Sequence, residues 1–267
     1  IFFSASASSC CQPTPPSLPV PGMSCVQTMV GWHPTLKTCM SLVLAAVLLV
    51  PGALGLSNGL AALPPMGWSS WYAAGSWVSE EVVKTNAEFL LSSGLAAKGY
   101  RYVNVDEGWL LGRDNQTSML YEDRTRFPSG MQGLGAWLHG KGLRYGLYTS
   151  RGTCQCTTPE YDHRCVPTAR SAPHPEGSNG FESHDAKFFA AAAADFVKVD
   201  SCCGSQDHAT AFADYARFRD ALNATGRPMV HSLCGWFPWY APVGAGLGNT
   251  WRISADGDGW HSHLVAV

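Results

Sequence analysis

Charge is what this sequence has least of. Only 14% of its 267 residues are Asp, Glu, Lys or Arg, against 46% hydrophobic, and the formal net charge is −2. So small a balance offers no field to draw nucleic acid or an anionic membrane, and neither is expected as a partner. Also missing are a Gly-rich phosphate cradle, a Ser-His-Asp order and any CxxC pair with distant partners, so no metal or cofactor is expected. No apolar run spans a bilayer comfortably: "MSLVLAAVLLVPGALG" at residues 40–55 has only about the length of a signal-peptide core. Residues 1–55 are therefore expected to be leader and signal rather than fold, with no membrane contact once they are removed. The first residue is Ile1, which is not a natural start.

Aromatic surface is plentiful. Ten tryptophans and nine tyrosines can pack a core or stack against the apolar face of a neutral ligand. Six cysteines follow the presumed signal: Cys154, Cys156, Cys165, Cys202, Cys203 and Cys234. Secretion, or delivery to a vacuolar or lysosomal lumen, permits disulfides. Cys156 and Cys165 could staple the long Pro/Gly/Cys-rich loop over residues 151–181. The sequons "NQT" at Asn115 and "NAT" at Asn223 are candidate glycosylation sites.

An internal echo sets the architecture. "KGYRYVNVDEGW" from Lys98 and "KGLRYGLYTSRG" from Lys141 share Lys-Gly-x-Arg-Tyr, and each follows a helical pattern. Glycine after a periodic apolar segment caps a helix, and the apolar stretch after it reads as a strand. "DFVKVD", "PMVHSLCGW" and "NTWRISAD" continue the series, and "PPMGWSSW" precedes it. Six strands alternating with helices or loops predict an α/β fold, a (β/α)8 TIM-type barrel. A full barrel needs eight repeats and about 250 residues, so residues 56–267 are expected to be a barrel truncated after about six strands.

In such a barrel the active site forms at the carboxyl ends of the strands. Those ends carry Trp71, Asp106 with Glu107, Tyr148, Lys198 with Asp200, Cys234 through Gly235 to Trp236, and Arg252 with Asp256. Within "ADFVKVDSCC", Lys198 and Asp200 sit two apart and share one face of a strand. Buried charges are rare unless paired or used, so the pair is either a structural plug or chemistry. "ADGDG" around Asp256 reads equally as a turn, and Asp258 competes with Asp256 for the same role. Trp71 and Tyr148 are by themselves ordinary core aromatics. His184, His208 and His231 are read as surface or packing residues. Several carboxylates with one lysine and many aromatics suggest carbohydrate chemistry, which in most glycosidases uses two carboxylates and no cofactor.

The ordered motifs "PPMGWSSW", "VNVDEGW", "RFPSGMQGLGAWLHGKGLRYGLY", "DFVKVDSC", "HSLCGW" and "WRISAD" resemble those of glycoside hydrolase family 27 over residues 63–260. This is the α-galactosidase and α-N-acetylgalactosaminidase family of retaining barrel enzymes. The resemblance implies Asp200 as nucleophile and Asp256 as general acid/base. It implies Asp106 and Glu107 as the acidic pair holding the far sugar hydroxyls, and Trp71 as a stacking platform. Tyr148, Lys198, Gly235, Trp236 and Arg252 fall on its sugar-pocket positions, and Cys154 with Cys202 on its disulfide. From the residues alone, Cys156 and Cys203 are equally available to that pairing. Lys198 should favour the ionised Asp200, and a second carboxyl facing that anion should be pushed up and kept protonated. Retaining geometry expects the two carboxyl groups about 5 to 5.5 Å apart.

Three departures stand out: Glu107 where the family usually has aspartate, Gly108 where it often has a half-cystine, and Gly235 where it often has a polar side chain. Expected activities are hydrolysis of terminal α-D-galactosides or, alternatively, of an α-N-acetylgalactosaminide, a β-L-arabinopyranoside or an α-1,6-glucan. A third reading is an inactive fragment with sugar-binding remnants, since a quarter of the barrel is expected to be missing; the family's C-terminal β-sandwich is likewise expected to be absent. The expected partner is a carbohydrate substrate, and a homodimer is compatible with the reading.

Overall fold

In a computed structural model of the chain, residues 2–3, 58–157, 177–254 and 256 are described. The elements run β1 (Phe2–Phe3), β2 (Gly67–Ser69), α1 (Trp71–Ala74), α2 (Glu80–Ser92), β3 (Tyr102–Asn104), β4 (Leu110–Arg113) and β5 (Leu120–Glu122). Then come α3 (Gly130–Gly140), β6 (Arg144–Ser150), α4 (Glu182–Ala191), β7 (Phe196–Asp200), α5 (His208–Ala224), β8 (Val230–Cys234), α6 (Gly244–Leu247) and β9 (Thr250–Trp251). The strands β2, β3, β6, β7, β8 and β9 pair side by side in that order, all parallel. These are the six strands the sequence predicts. No described helix is long and apolar enough to cross a membrane.

Two features differ from expectation. Residues 1–55 are expected outside the fold, yet β1 lies parallel against β2, with Phe2 opposite Gly67. An unpaired strand edge presents open N–H and C=O groups, and two extended aromatic residues cover part of it. The remainder of that segment lies outside the described residues. Second, β4 and β5 form an antiparallel hairpin in what reads as the loop after β3. Asn115 sits exposed in its turn, where Asp114 Oδ1 accepts from the Thr117 N–H at 2.7 Å. Asn223 is exposed near the end of α5.

Local chemistry explains the helix limits. Ser79 caps α2 by accepting the Val82 N–H, and Asp207 caps α5 by accepting the Thr210 N–H at 2.8 Å. Both copies of the Lys-Gly echo turn the chain into the next strand through a left-handed glycine, Gly99 at φ 101° and Gly142 at φ 75°.

Strand alternation then separates two environments. Val103, Val105, Tyr145, Leu147, Val197, Val199 and Leu233 pack outward against helix residues such as Ala87, Leu134, Phe189 and Phe218, forming the apolar core. The opposite face carries Asn104, Tyr148, Lys198, Asp200, Ser232 and Cys234, in register across β3, β6, β7 and β8. A parallel strand in a layered α/β unit normally reads apolar on both faces. Here one face is polar, and that face holds the site.

Candidate active site

Two rows of side chains cross the inner face. Tyr148, Lys198 and Ser232 are level with one another, and Ser150, Asp200 and Cys234 form the next row toward the carboxyl ends. Lys198 Nζ donates to Asp106 Oδ2 at 2.8 Å and stands 3.8 Å from Asp200 Oδ2. It also lies over the Tyr148 ring, 5.0 Å from its centroid. The lysine's hydrogen bond therefore goes to the acid after β3, with the acid ending β7 as its second ionic neighbour.

Each acid is held by the main chain. The Asp106 N–H donates to Ser70 Oγ at 2.9 Å, and Asp106 Oδ1 accepts from the Glu107 N–H at 2.9 Å. Asp200 Oδ1 accepts from the Ser201 N–H at 2.9 Å. Glu107 is buried, with Oε1 accepting from the Thr157 N–H at 2.9 Å and the Thr157 hydroxyl at 2.6 Å.

Burial dominates the electrostatics. It raises the Asp200 carboxyl, against the downward pull of Lys198, the Ser201 N–H and Arg252. Lys198 thus favours the ionised form, as the sequence suggests, but does not offset desolvation. For Lys198 itself burial disfavours the charge, yet the Asp106 and Asp200 carboxylates prevail and hold the ammonium well above the ordinary lysine range. Glu107 is pushed up to about 7, first by burial, with Thr157 hydrogen bonds pulling down and the neighbouring aspartates pushing up. A carboxyl titrating near neutrality is thus found at Glu107.

Arg252 extends the site beyond β9. Its Nη1 donates to Asp256 Oδ1 at 2.7 Å and to Cys234 Sγ at 3.3 Å, and its charge also reaches Asp200. Burial, then Asp200, pushes the Cys234 thiol up to about 12, so it stays neutral. Asp256 is exposed, and Asp258 lies outside the described residues.

Trp71 opens α1 directly after β2 and is half-buried. The next residue, Tyr72, is absent from the sequence-based set. Its hydroxyl is raised by burial and then by Asp256, with Arg252 and Lys198 acting in the opposite direction, which puts it among the charged groups of the site. Adjacency to Trp71 in "SSWY" was the one available hint. Trp236 is half-buried with left-handed backbone, φ 58°, an uncommon conformation for a bulky residue. Gly235 lies in the site's strand end, but a β-carbon there would overlap the Tyr240 ring. At this position the chain offers a ligand main chain only.

The Cys154–Cys202 pairing implied by resemblance is corrected. Cys154 bonds Cys203 and Cys156 bonds Cys202, with Cα separations of 5.4 and 5.1 Å. The Thr153 N–H donates to the Cys203 carbonyl at 3.4 Å, which brings the neighbouring Cys154 beside Cys203. Cys203 has left-handed backbone, φ 53°, which turns the adjacent cysteines toward separate partners. Cys165 lies outside the described residues. Cys156, Cys202 and an Asp200 oxygen lie within 4.8 Å of one another, but both sulfurs are bonded together and offer no thiolate to a metal. The Tyr148 hydroxyl donates to Cys156 Sγ at 3.3 Å, joining this disulfide to the pocket wall.

A family model described as Alpha galactosidase A matches residues 63–262. A probable alpha-galactosidase of Dictyostelium discoideum is 38% identical over 229 residues, covering 83% of this chain and 54% of its own. Among solved structures, an alpha-galactosidase from Saccharomyces cerevisiae aligns at a TM-score of 0.64 with 33% identity, covering 73% of this chain and 40% of its own. Alpha-galactosidase I from Mortierella vinacea also aligns at 0.64, with 35% identity, covering 75% and 47%. The chain spans about half the length of the curated relatives it matches.

Proposed function

The chain belongs to the alpha galactosidase A family, and from that premise we propose that it is the catalytic half of a retaining glycosidase that removes terminal α-D-galactosyl residues. The observation that carries this is the inner-face cluster in which Lys198 joins Asp106 to Asp200 while Arg252 joins Asp256 to the same strand ends.

The reaction is a double displacement. The Asp200 carboxylate attacks the anomeric carbon as the glycosidic C–O bond breaks, and the Asp256 carboxyl gives its proton to the departing oxygen. A glycosyl ester on Asp200 results. Water then attacks the same carbon, Asp256 takes the water's proton, and Asp200 leaves as carboxylate. The anomeric carbon is inverted once in each step, so the released sugar keeps its configuration. The low-dielectric floor around Asp200 strengthens the stabilising effect of Lys198 and Arg252 on the developing charges. Asp106 and Glu107 hold the far hydroxyls, Trp71 stacks on the sugar's apolar face, and Tyr148, Trp236 and the main chain of Gly235 complete the wall.

The two disulfides fit an oxidising compartment, and we place the protein in the secretory route, secreted or in a vacuolar or lysosomal lumen. Exposed Asn115 and Asn223 are its glycan acceptors. One observation favours a different sugar: residue 235 supplies no side chain toward the second carbon, so selection there is relaxed.

Proton NMR of aryl α-D-galactoside hydrolysis tests the proposal. First-formed α-galactose, and its loss in Asp200→Asn, is the expected result. A first-formed β anomer, or undiminished turnover by the variant, overturns the mechanism. Parallel assays on α-N-acetylgalactosaminide and β-L-arabinopyranoside decide between sugars.

A further inference from the structure

The motif "RFPSG" is conspicuous in the sequence, but no step of the reaction uses it. Its arginine, Arg126, is only 15% exposed, and all three nitrogens of its guanidinium donate. Nε donates to Asp123 Oδ2 at 3.0 Å. Nη1 donates to the carbonyls of Ser76 at 2.6 Å and Val78 at 3.1 Å, and Nη2 donates to the carbonyl of Gly108. Ser76 and Val78 end the loop that begins with Trp71 and Tyr72. Gly108 directly follows Asp106 and Glu107. One planar cation thus binds the main chains of two neighbouring rim loops.

We infer that Arg126 is a positioning residue for the sugar-binding rim, holding the loop of Trp71 against the loop of Asp106 and Glu107. The inference rests on the reading of those three residues as sugar contacts. The two loops meet main chain to main chain: a β-carbon on Gly108 would lie 2.7 Å from the Ser76 carbonyl carbon and 2.8 Å from its Cα. No side chain fits between them, so their facing carbonyls need a donor from outside. Arg126 supplies it. Asp123 aims the guanidinium, and its own N–H is tied to the Trp109 carbonyl at 2.9 Å. Nearer the strands, Ser70 joins the same loops by accepting the Asp106 N–H and donating its own N–H to the Asn104 carbonyl at 3.0 Å. The Ser70 tie alone leaves the distal ends free to hinge. The Arg126 tie sets how far Glu107 stands from Trp71.

Arg126 contacts neither Asp200 nor Lys198 through any of these bonds, so its loss should weaken sugar binding and leave the chemical step intact. Lysine cannot reproduce the fork: one ammonium does not span three carbonyls and a carboxylate.

The test measures aryl α-galactoside kinetics and backbone hydrogen exchange in the full chain with Arg126→Lys and Arg126→Gln. Expected are a rise of about tenfold in KM, kcat within twofold of the parent, and faster exchange confined to residues 75–78 and 106–109. The lysine variant should be less affected than the glutamine variant. A variant that merely misfolds loses apparent kcat with KM unchanged and exchanges faster throughout, which would overturn the inference. Unchanged KM in well-folded variants of an active parent overturns it too, leaving the proposed function standing. An inactive parent refutes the proposed function instead, and exchange alone then decides: protection lost in those two loops supports the tie, and protection retained overturns it.

Discussion

Lys198 stands between two acids that lie far apart in the sequence: its ammonium is hydrogen-bonded to Asp106 at 2.8 Å and 3.8 Å from Asp200. One cation therefore couples Asp106 to Asp200, the proposed nucleophile. Lys198→Met removes the charge that both buried acids face. Asp200, already raised by burial, should rise further, and because the proposed nucleophile must be ionised the acid limb of kcat/KM should move to higher pH. A pH–rate profile of parent and variant measures this. An unmoved limb would separate Lys198 from Asp200.

Glu107 supplies a second pH signature. Burial raises it to about 7, so it exchanges its proton near neutrality, whereas its unfolded value is ordinary. Its ionised form is disfavoured by folding, so its contribution to stability is fully present below the unfolded value of 4.5 and is lost as pH rises through the folded value of about 7. Glu107→Gln should flatten the stability profile between about pH 4.5 and 7, the two ends of that shift. Urea midpoints across the range check it.

His231 acts in the opposite direction. It is wholly buried on β8, its Nδ1 3.0 Å from the Leu247 carbonyl oxygen, and burial lowers it from 6.5 to about 4. The folded state therefore binds fewer protons than the unfolded between those values. Its stabilising effect is complete above pH 6.5 and declines as pH falls toward 4, by about 3 kcal/mol in all. Denaturation of His231→Asn at pH 5 and 7.5 should show a smaller pH effect than the parent.

The disulfides should separate by function. Loss of either costs about 2–4 kcal/mol of stability. Cys154→Ser with Cys203→Ser should leave turnover of the surviving fold unchanged. Cys156→Ser with Cys202→Ser should also lower it, because that bond touches the Tyr148 hydroxyl and borders Asp200. Peptide mapping without reductant should recover 154–203 and 156–202 linkages. A 154–202 peptide would contradict the structure.

The strands were legible because the Lys-Gly-x-Arg-Tyr echo and the glycine helix stops are local features that tertiary packing did not override. Legible also was that Lys198 and Asp200 share a face, which follows from pleating alone. Distant relationships were not. The bond from Lys198 to Asp106 spans 92 positions, and the hydrogen bonds that buried Glu107 accepts come from Thr157, 50 positions away. The β4–β5 hairpin escaped notice because its strands are only four and three residues long, too short for alternation to register. The cysteine pairing was open because Cys154, Cys156, Cys202 and Cys203 allow several connectivities, and the turn at Cys203 decided among them. Beyond its adjacency to Trp71, Tyr72 is marked only by its neighbours in space.

The central claim is that Asp200 forms a covalent bond with the sugar's anomeric carbon. Incubation with a 2-deoxy-2-fluoro-α-galactosyl fluoride, followed by peptide mass spectrometry, tests it most directly. The account predicts one glycosyl adduct, on the peptide carrying Asp200 and absent in Asp200→Asn. An adduct on another carboxylate, or inactivation with Asp200 unmodified, would contradict it.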